Sequence, residues 1–144
     1  MKSVIAAFLC AYSLQALANV DTLLGTYRPK RGEGEATITK VQVTEATLFE
    51  PAKFEYRLEL NHDKHDLYLN TALVVSADGK SLSGSDSNEC DDPGCYYIDS
   101  ADITVTQKSP RAKPVIKVEY SGNHYDDGDV GAFDFTGTVE FRKN

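Results

Sequence analysis

From Lys53 to Asn61 the chain alternates without a break, with Phe54, Tyr56, Leu58 and Leu60 on one side and Lys53, Glu55, Arg57 and Glu59 on the other. A period of two is the geometry of a strand with one packed and one wet face, and it excludes an amphipathic helix over the same residues. The C-terminal run repeats the pattern: Phe133, Phe135, Val139 and Phe141 point one way, Asp134, Thr136, Thr138 and Glu140 the other. Gly137 takes the remaining inward slot, where a missing side chain marks a bend or a close approach.

Weaker runs cover 36–44, 67–76, 80–85, 96–107 (interrupted near Ser100) and 115–122. Turn formers separate them: Arg31-Gly32-Glu33-Gly34, Glu50-Pro51, Ala77-Asp78-Gly79, the segment from Ser109 to Pro114, and Asp127-Gly128-Asp129. Seven or eight short strands, with no helix among them, specify an all-β fold. The expected architecture is a single small antiparallel up-and-down barrel, with a β-sandwich as the alternative. Closure disposes of the unpaired edges that invite aggregation.

Residues 1–18 read as a helical signal peptide. Lys2 supplies the charged start, Val4 to Leu17 the apolar run, and Ala16-Leu17-Ala18 the small-x-small cleavage box. The run is shorter than the roughly 20 apolar residues that span a bilayer, so no membrane span is expected after cleavage. Phe8-Leu9 before Cys10 does not fit lipid attachment, which takes a small residue just before the cysteine. The domain is then 19–144, exported to the periplasm or secreted. Cleavage after Ala18 removes 18 of the 144 residues and Lys2 with them, taking the net charge from −7 to −8. At about this size folding buries roughly two-thirds of the unfolded surface, enough for one core.

An exported chain matures where disulfides persist. Of its cysteines, Cys90 and Cys95 remain, and Pro93-Gly94 between them is a turn signal that brings the two together. A closed loop this short contributes roughly 2 kcal/mol on a chain-entropy model. The spacing is not the C-x-x-C of a redox pair, so the reading is a stapled loop.

Chemistry is harder to locate. The acidic balance argues against nucleic acid, which calls for a clustered excess of Lys and Arg. No nucleophile elbow, zinc-protease helix or phosphate loop occurs, and no catalysis is expected. His62 and His65 stand three apart beside Asp63 and Asp66, but zinc takes three or four ligands and only His124 remains, so a solvated turn is expected there. Asp86 to Asp92 and Asp126 to Asp129 concentrate carboxylates as calcium loops do, without the EF-hand frame; calcium is the one cofactor kept open. Tyr56, Tyr68, Tyr96, Tyr97, Tyr120 and Tyr125 lie on strands or at their ends, suiting a core, a pocket or an interface. Adjacent Tyr96 and Tyr97 point to opposite faces. Basic groups gather at 28–31 and 108–113 and acids at 86–92 and 124–129, a distribution that could steer a charged partner.

Leu23-Leu24-Gly25-Thr26-Tyr27 resembles the Gly-x-Trp box with which calycins (lipocalins, fatty-acid-binding proteins, avidins) begin their first strand, with Tyr27 in place of the Trp. The resemblance implies an up-and-down barrel whose interior holds a small apolar ligand. The first expectation is therefore a carrier in which Phe54, Tyr56, Leu58, Phe133 and Phe135 contact that ligand. The alternative is a protein-interaction module, such as an inhibitor of a secreted hydrolase, working through the Cys90–Cys95 loop. An internal cavity of a few hundred Å³ or a filled core separates the two.

Overall fold

Each alternating run forms a strand, and the strands close on themselves. The computed structural model describes residues 20–89, 94–124 and 133–144. In chain order the strands are β1 (Gly25–Pro29), β2 (Gly34–Thr44), β3 (Lys53–His62), β4 (Leu67–Val75), β5 (Leu82–Asn88), β6 (Tyr96–Thr106), β7 (Val115–His124) and β8 (Phe133–Lys143). Neighbours pair antiparallel in sequence order, and β1 also pairs with β8 through Tyr27↔Lys143 and Pro29↔Phe141. The result is a closed eight-stranded barrel, so the sandwich alternative falls away.

The inward positions carry the core: Ile38 of β2, Leu58 and Leu60 of β3, Leu69 of β4, Ile103 of β6, Val118 of β7 and Phe141 of β8 are all buried. The break expected near Ser100 is a β-bulge. Ile98 pairs with Gly122 and Ser100 with Ser121, so Asp99 is the extra residue in a strand that otherwise runs through. The bulge moves the inward set from Tyr96 and Ile98 to Ala101, Ile103 and Val105.

The inward slot at Gly137 is filled from across the sheet. Gly137 pairs with Tyr120, and a Cβ there would stand 2.3 Å from the tyrosine ring. Only glycine lets the Tyr120 ring lie flat over β8.

Strand direction defines two rims. At the first lie Val20, the connections 45–52, 76–81 and 107–114, and Asn144. At the second lie the connections 30–33 and 63–66, with Glu89 just after β5 and Gly94-Cys95 just before β6. The first rim is plugged by a single turn. Leu23 N–H donates to the Val20 carbonyl at 3.0 Å, and both side chains are buried. Tyr27, fully buried, donates its hydroxyl to the Leu23 carbonyl at 2.5 Å, and burial holds that phenol far above its ordinary pKa. Gly25, at φ +122°, makes the sharp step from this turn into β1.

One seam is thin. β4 and β5 share only Val74↔Ser83 and Val75↔Leu82. Below them the gap is bridged by side chains: Asn70 N–H donates to the Asp86 carboxylate at 2.8 Å, and the Thr71 hydroxyl donates to the Ser85 carbonyl at 3.1 Å.

Candidate functional site

The five expected ligand contacts share the inward phase but not one place. Phe54 and Tyr56 stand at the first rim, Phe133 and Phe135 at the second, and Leu58 lies in the core between them. Phe54 and Phe133 are each about half exposed. Between the rims the barrel is filled. Leu58, Leu60, Leu69, Ile98, Val105, Ile116, Val118 and Phe141 have no accessible surface, and a cavity wide enough for water would leave some on its walls.

The segment expected to be a solvated turn is exposed at Asp63, Lys64 and Asp66, but the expectation is corrected for His62 and His65, which fold in at the second rim. His62 is buried. Its Nε2 donates to the Arg31 carbonyl at 2.9 Å, and its Nδ1 lies 2.9 Å from the Lys64 nitrogen and 3.0 Å from Asp63 Oδ1. The ring edge meets Phe141 at 5.6 Å between centroids. His65 and Asp66 both take left-handed backbone, φ 57° and 47°, which costs roughly 1–2 kcal/mol per residue. That geometry folds the His65 ring over the mouth, 4.2 Å from Phe135 and 5.1 Å from Tyr96. Its Nδ1 lies 3.0 Å from the Tyr120 hydroxyl. Burial pushes that phenol up to about 12, so Tyr120 keeps its hydroxyl proton and shares a hydrogen bond with the imidazole. Burial, and then Lys64, lower the His65 pKa in turn.

Here the aromatics form a lid. Tyr96 also meets His124 at 4.8 Å, and His124 stacks on Phe133 at 5.2 Å. Tyr97 points away, its hydroxyl 3.4 Å from the Glu89 carboxylate, so the two adjacent tyrosines take opposite faces as expected. Among the described residues no cluster of three or more metal-ligating side chains forms. Both Asp86 oxygens accept backbone N–H groups, from Asn70 and from Ser87 at 2.9 Å. Cys90, Tyr125 and the rest of both acidic loops, 90–92 and 126–129, lie outside the described residues, as does the leader. Cys95 directly precedes β6, at the second rim.

The feature that sequence reasoning missed is at the first rim. β1 covers β2 only as far as Ile38, and β4 covers β3 only from Tyr56. From Thr39 to Thr44 and from Lys53 to Glu55 the two strands therefore pair only with each other, as an arm of roughly 15 Å beyond the wall. A bare two-stranded ribbon is marginal in water, and this one is braced at its base. Asp21 Oδ1 accepts from the Tyr56 hydroxyl at 3.1 Å and from Lys40 Nζ at 3.3 Å. The Lys40 ammonium sits over the Phe54 and Tyr56 rings, 5.1 and 5.7 Å from their centroids.

The tip is braced as well. Thr47 Oγ1 accepts the N–H groups of Phe49 at 3.3 Å and Glu50 at 3.0 Å, while Thr47 N–H donates to the Glu50 carbonyl at 2.8 Å. Lys53 N–H donates to Thr44 Oγ1 at 3.1 Å. This ordered turn holds Leu48 and Phe49 in water, 96% and 95% exposed. The signal available in the sequence was two large apolar side chains set between Thr47 and Glu50-Pro51, inside a connection that needs no apolar residue.

No protein-family model, no curated protein and no solved structure matches this chain.

Proposed function

We propose that this chain is an exported, non-catalytic binding module that engages a protein partner through the tip of its β2–β3 arm. The observation that carries the reading is the pair Leu48 and Phe49, almost wholly exposed on a turn that Thr47 holds in shape. Burying one such side chain is worth roughly 1.5–3 kcal/mol, so leaving both in water has a cost that the fold does not require. Ordering the tip in advance reduces the entropy lost on docking.

The filled interior favours this role over that of an apolar-ligand carrier, because the inward side chains leave no accessible room. Glu45 and Glu50 flank the tip and disfavour an anionic membrane surface, so the occupant is a protein with an apolar pocket. Export by the 1–18 leader and a Cys90–Cys95 staple belong to the same proposal, with the staple at the rim away from the arm. Kinship with calycins is also part of it, supported by the meandering closure and by Tyr27 packing under the first-rim turn. No cofactor enters the proposal; calcium on the acidic loops 86–92 and 126–129 is tested separately by direct titration.

The test is positional photocrosslinking in the native host. A photoreactive phenylalanine analogue replaces Phe49 in one protein and Glu119, on the outer wall of β7, in another. The proposal expects one adduct of discrete mass from position 49, absent from position 119 and lost when Leu48→Asp is added. Equal crosslinking from both positions overturns it.

A further inference from the structure

The outer wall carries a feature that the arm does not use. Across β6, β7, β8 and the end of β1 runs a groove of about 520 Å³. Its lining holds five cations, Lys30, Lys108, Lys113, Lys117 and Arg142, against one carboxylate, Glu140, on a chain whose net charge is −7. The register builds it. Thr104, Lys117 and Glu140 stand in one cross-strand row, and Thr106, Val115 and Arg142 in the next. The 107–114 connection folds beside them, held by Gln107 Nε2 donating to the Ala112 carbonyl at 2.8 Å.

Not all of this charge is internally matched. Lys30 pairs with Glu140, and Lys117 with Glu119 at 2.8 Å. Lys108, Lys113 and Arg142 make no salt bridge among the described residues, although the Arg142 charge acts on Glu140. Glu140 senses the local field: its hydrogen bond from Lys30 first, then the charges of Lys30, Lys117 and Arg142, hold its pKa below the usual range.

We propose that this groove binds an acidic oligosaccharide, its carboxylate or sulfate groups on Lys108, Lys113 and Arg142 and its hydroxyls on Thr104 and Thr106. Three features narrow the class. At the groove the strands are paired on both sides, Thr104 with Ser83 and Lys117, and Arg142 with Arg28 and Val115, so no free edge there offers ladder bonds to a peptide backbone. Lysine and arginine are donors only, so the ligand must be rich in acceptor oxygens. No aromatic side chain lines the groove, which leaves nucleic-acid bases nothing to stack on. Val115 and Ala112 offer instead a small apolar floor for the C–H face of a sugar.

The experiment measures binding of four fluorescent probes to the full mature chain across roughly 50–200 mM salt. The probes are an oligogalacturonate, a sulfated heparin-derived oligosaccharide, a neutral dextran of equal length and a poly-glutamate of equal charge. The proposal expects at least one acidic saccharide to bind, the dextran not to bind, and poly-glutamate to bind at least about tenfold more weakly. The pair K113Q/R142Q should weaken saccharide binding about tenfold or more and flatten its log–log salt slope, while L48S/F49S leaves both unchanged. Matching thermal melts confirm that the exposed substitutions leave the fold intact. Failure of both acidic saccharides to bind, insensitivity to K113Q/R142Q, or poly-glutamate binding as tightly as the saccharides each overturns the proposal, the last in favour of an acidic peptide surface.

Discussion

Tyr27 shows how much one hydroxyl does in this barrel. Buried at the first rim, it satisfies the Leu23 carbonyl and thereby ties the plugging turn to β1. Tyr27→Phe keeps the ring but orphans a carbonyl, and an unsatisfied buried acceptor costs about 1–3 kcal/mol. A urea titration should show the unfolding free energy falling by that amount, through a lower midpoint with an unchanged slope. At the opposite rim, His65 governs a pH dependence. Its folded pKa lies below the unfolded value of about 6.5, so the unfolded chain takes up a proton more readily than the folded one. Its contribution is complete above about pH 7 and lost as pH falls through the unfolded pKa toward the folded one. Melting temperatures between pH 7.5 and 5.5 should fall in the parent protein and fall less in His65→Asn, whose asparagine also accepts the left-handed backbone. A parallel decline in both would remove His65 from that role. Gly137 was legible as an inward gap, but its occupant was not, because Tyr120 reaches it from another strand. The burial of His62 was hidden for the same reason: Arg31 and Phe141, which enclose it, are distant in sequence.

At the scale of the element, alternation told which face each residue takes and said nothing of its height along the barrel axis. Phe54, Leu58 and Phe135 share a phase, yet they sit beyond one rim, in the core and at the other rim. Height is set by where neighbouring strands stop, and the short β1 and late start of β4 pairing are what free the arm. The arm therefore behaves as a separate element with its own prediction. L48S/F49S should shift stability by no more than about 0.5 kcal/mol, as exposed substitutions do, while weakening partner binding about a hundredfold or more. C90S/C95S should leave arm-mediated binding unchanged, since Cys95 lies at the other rim. The β4–β5 seam is the complementary case, an element held by side chains where the ladder runs out. Asp86→Ala removes the acceptor of the Asn70 amide, so exchange at Asn70 should accelerate well before that at Leu60, whose pairing with Leu69 is untouched. Uniform protection at both amides would mean that the seam does not open locally.

As a whole, the molecule is a filled barrel with lids at both ends, an arm beyond one of them and a basic groove on its flank. The sequence pattern carried the all-β class and the strand count because local alternation encodes them. Closure depends on β1 meeting β8 across the length of the domain, and that contact leaves no local trace. Binding is proposed to happen on the outside of the barrel. Native mass spectrometry of the mature protein purified from its own host tests it most directly. No small apolar molecule is expected to be released on denaturation, and a heavier protein complex should be present that is absent from L48S/F49S. A stoichiometric small apolar molecule, retained under native conditions and lost on denaturation, would contradict it and return the interior to the centre of the protein's function.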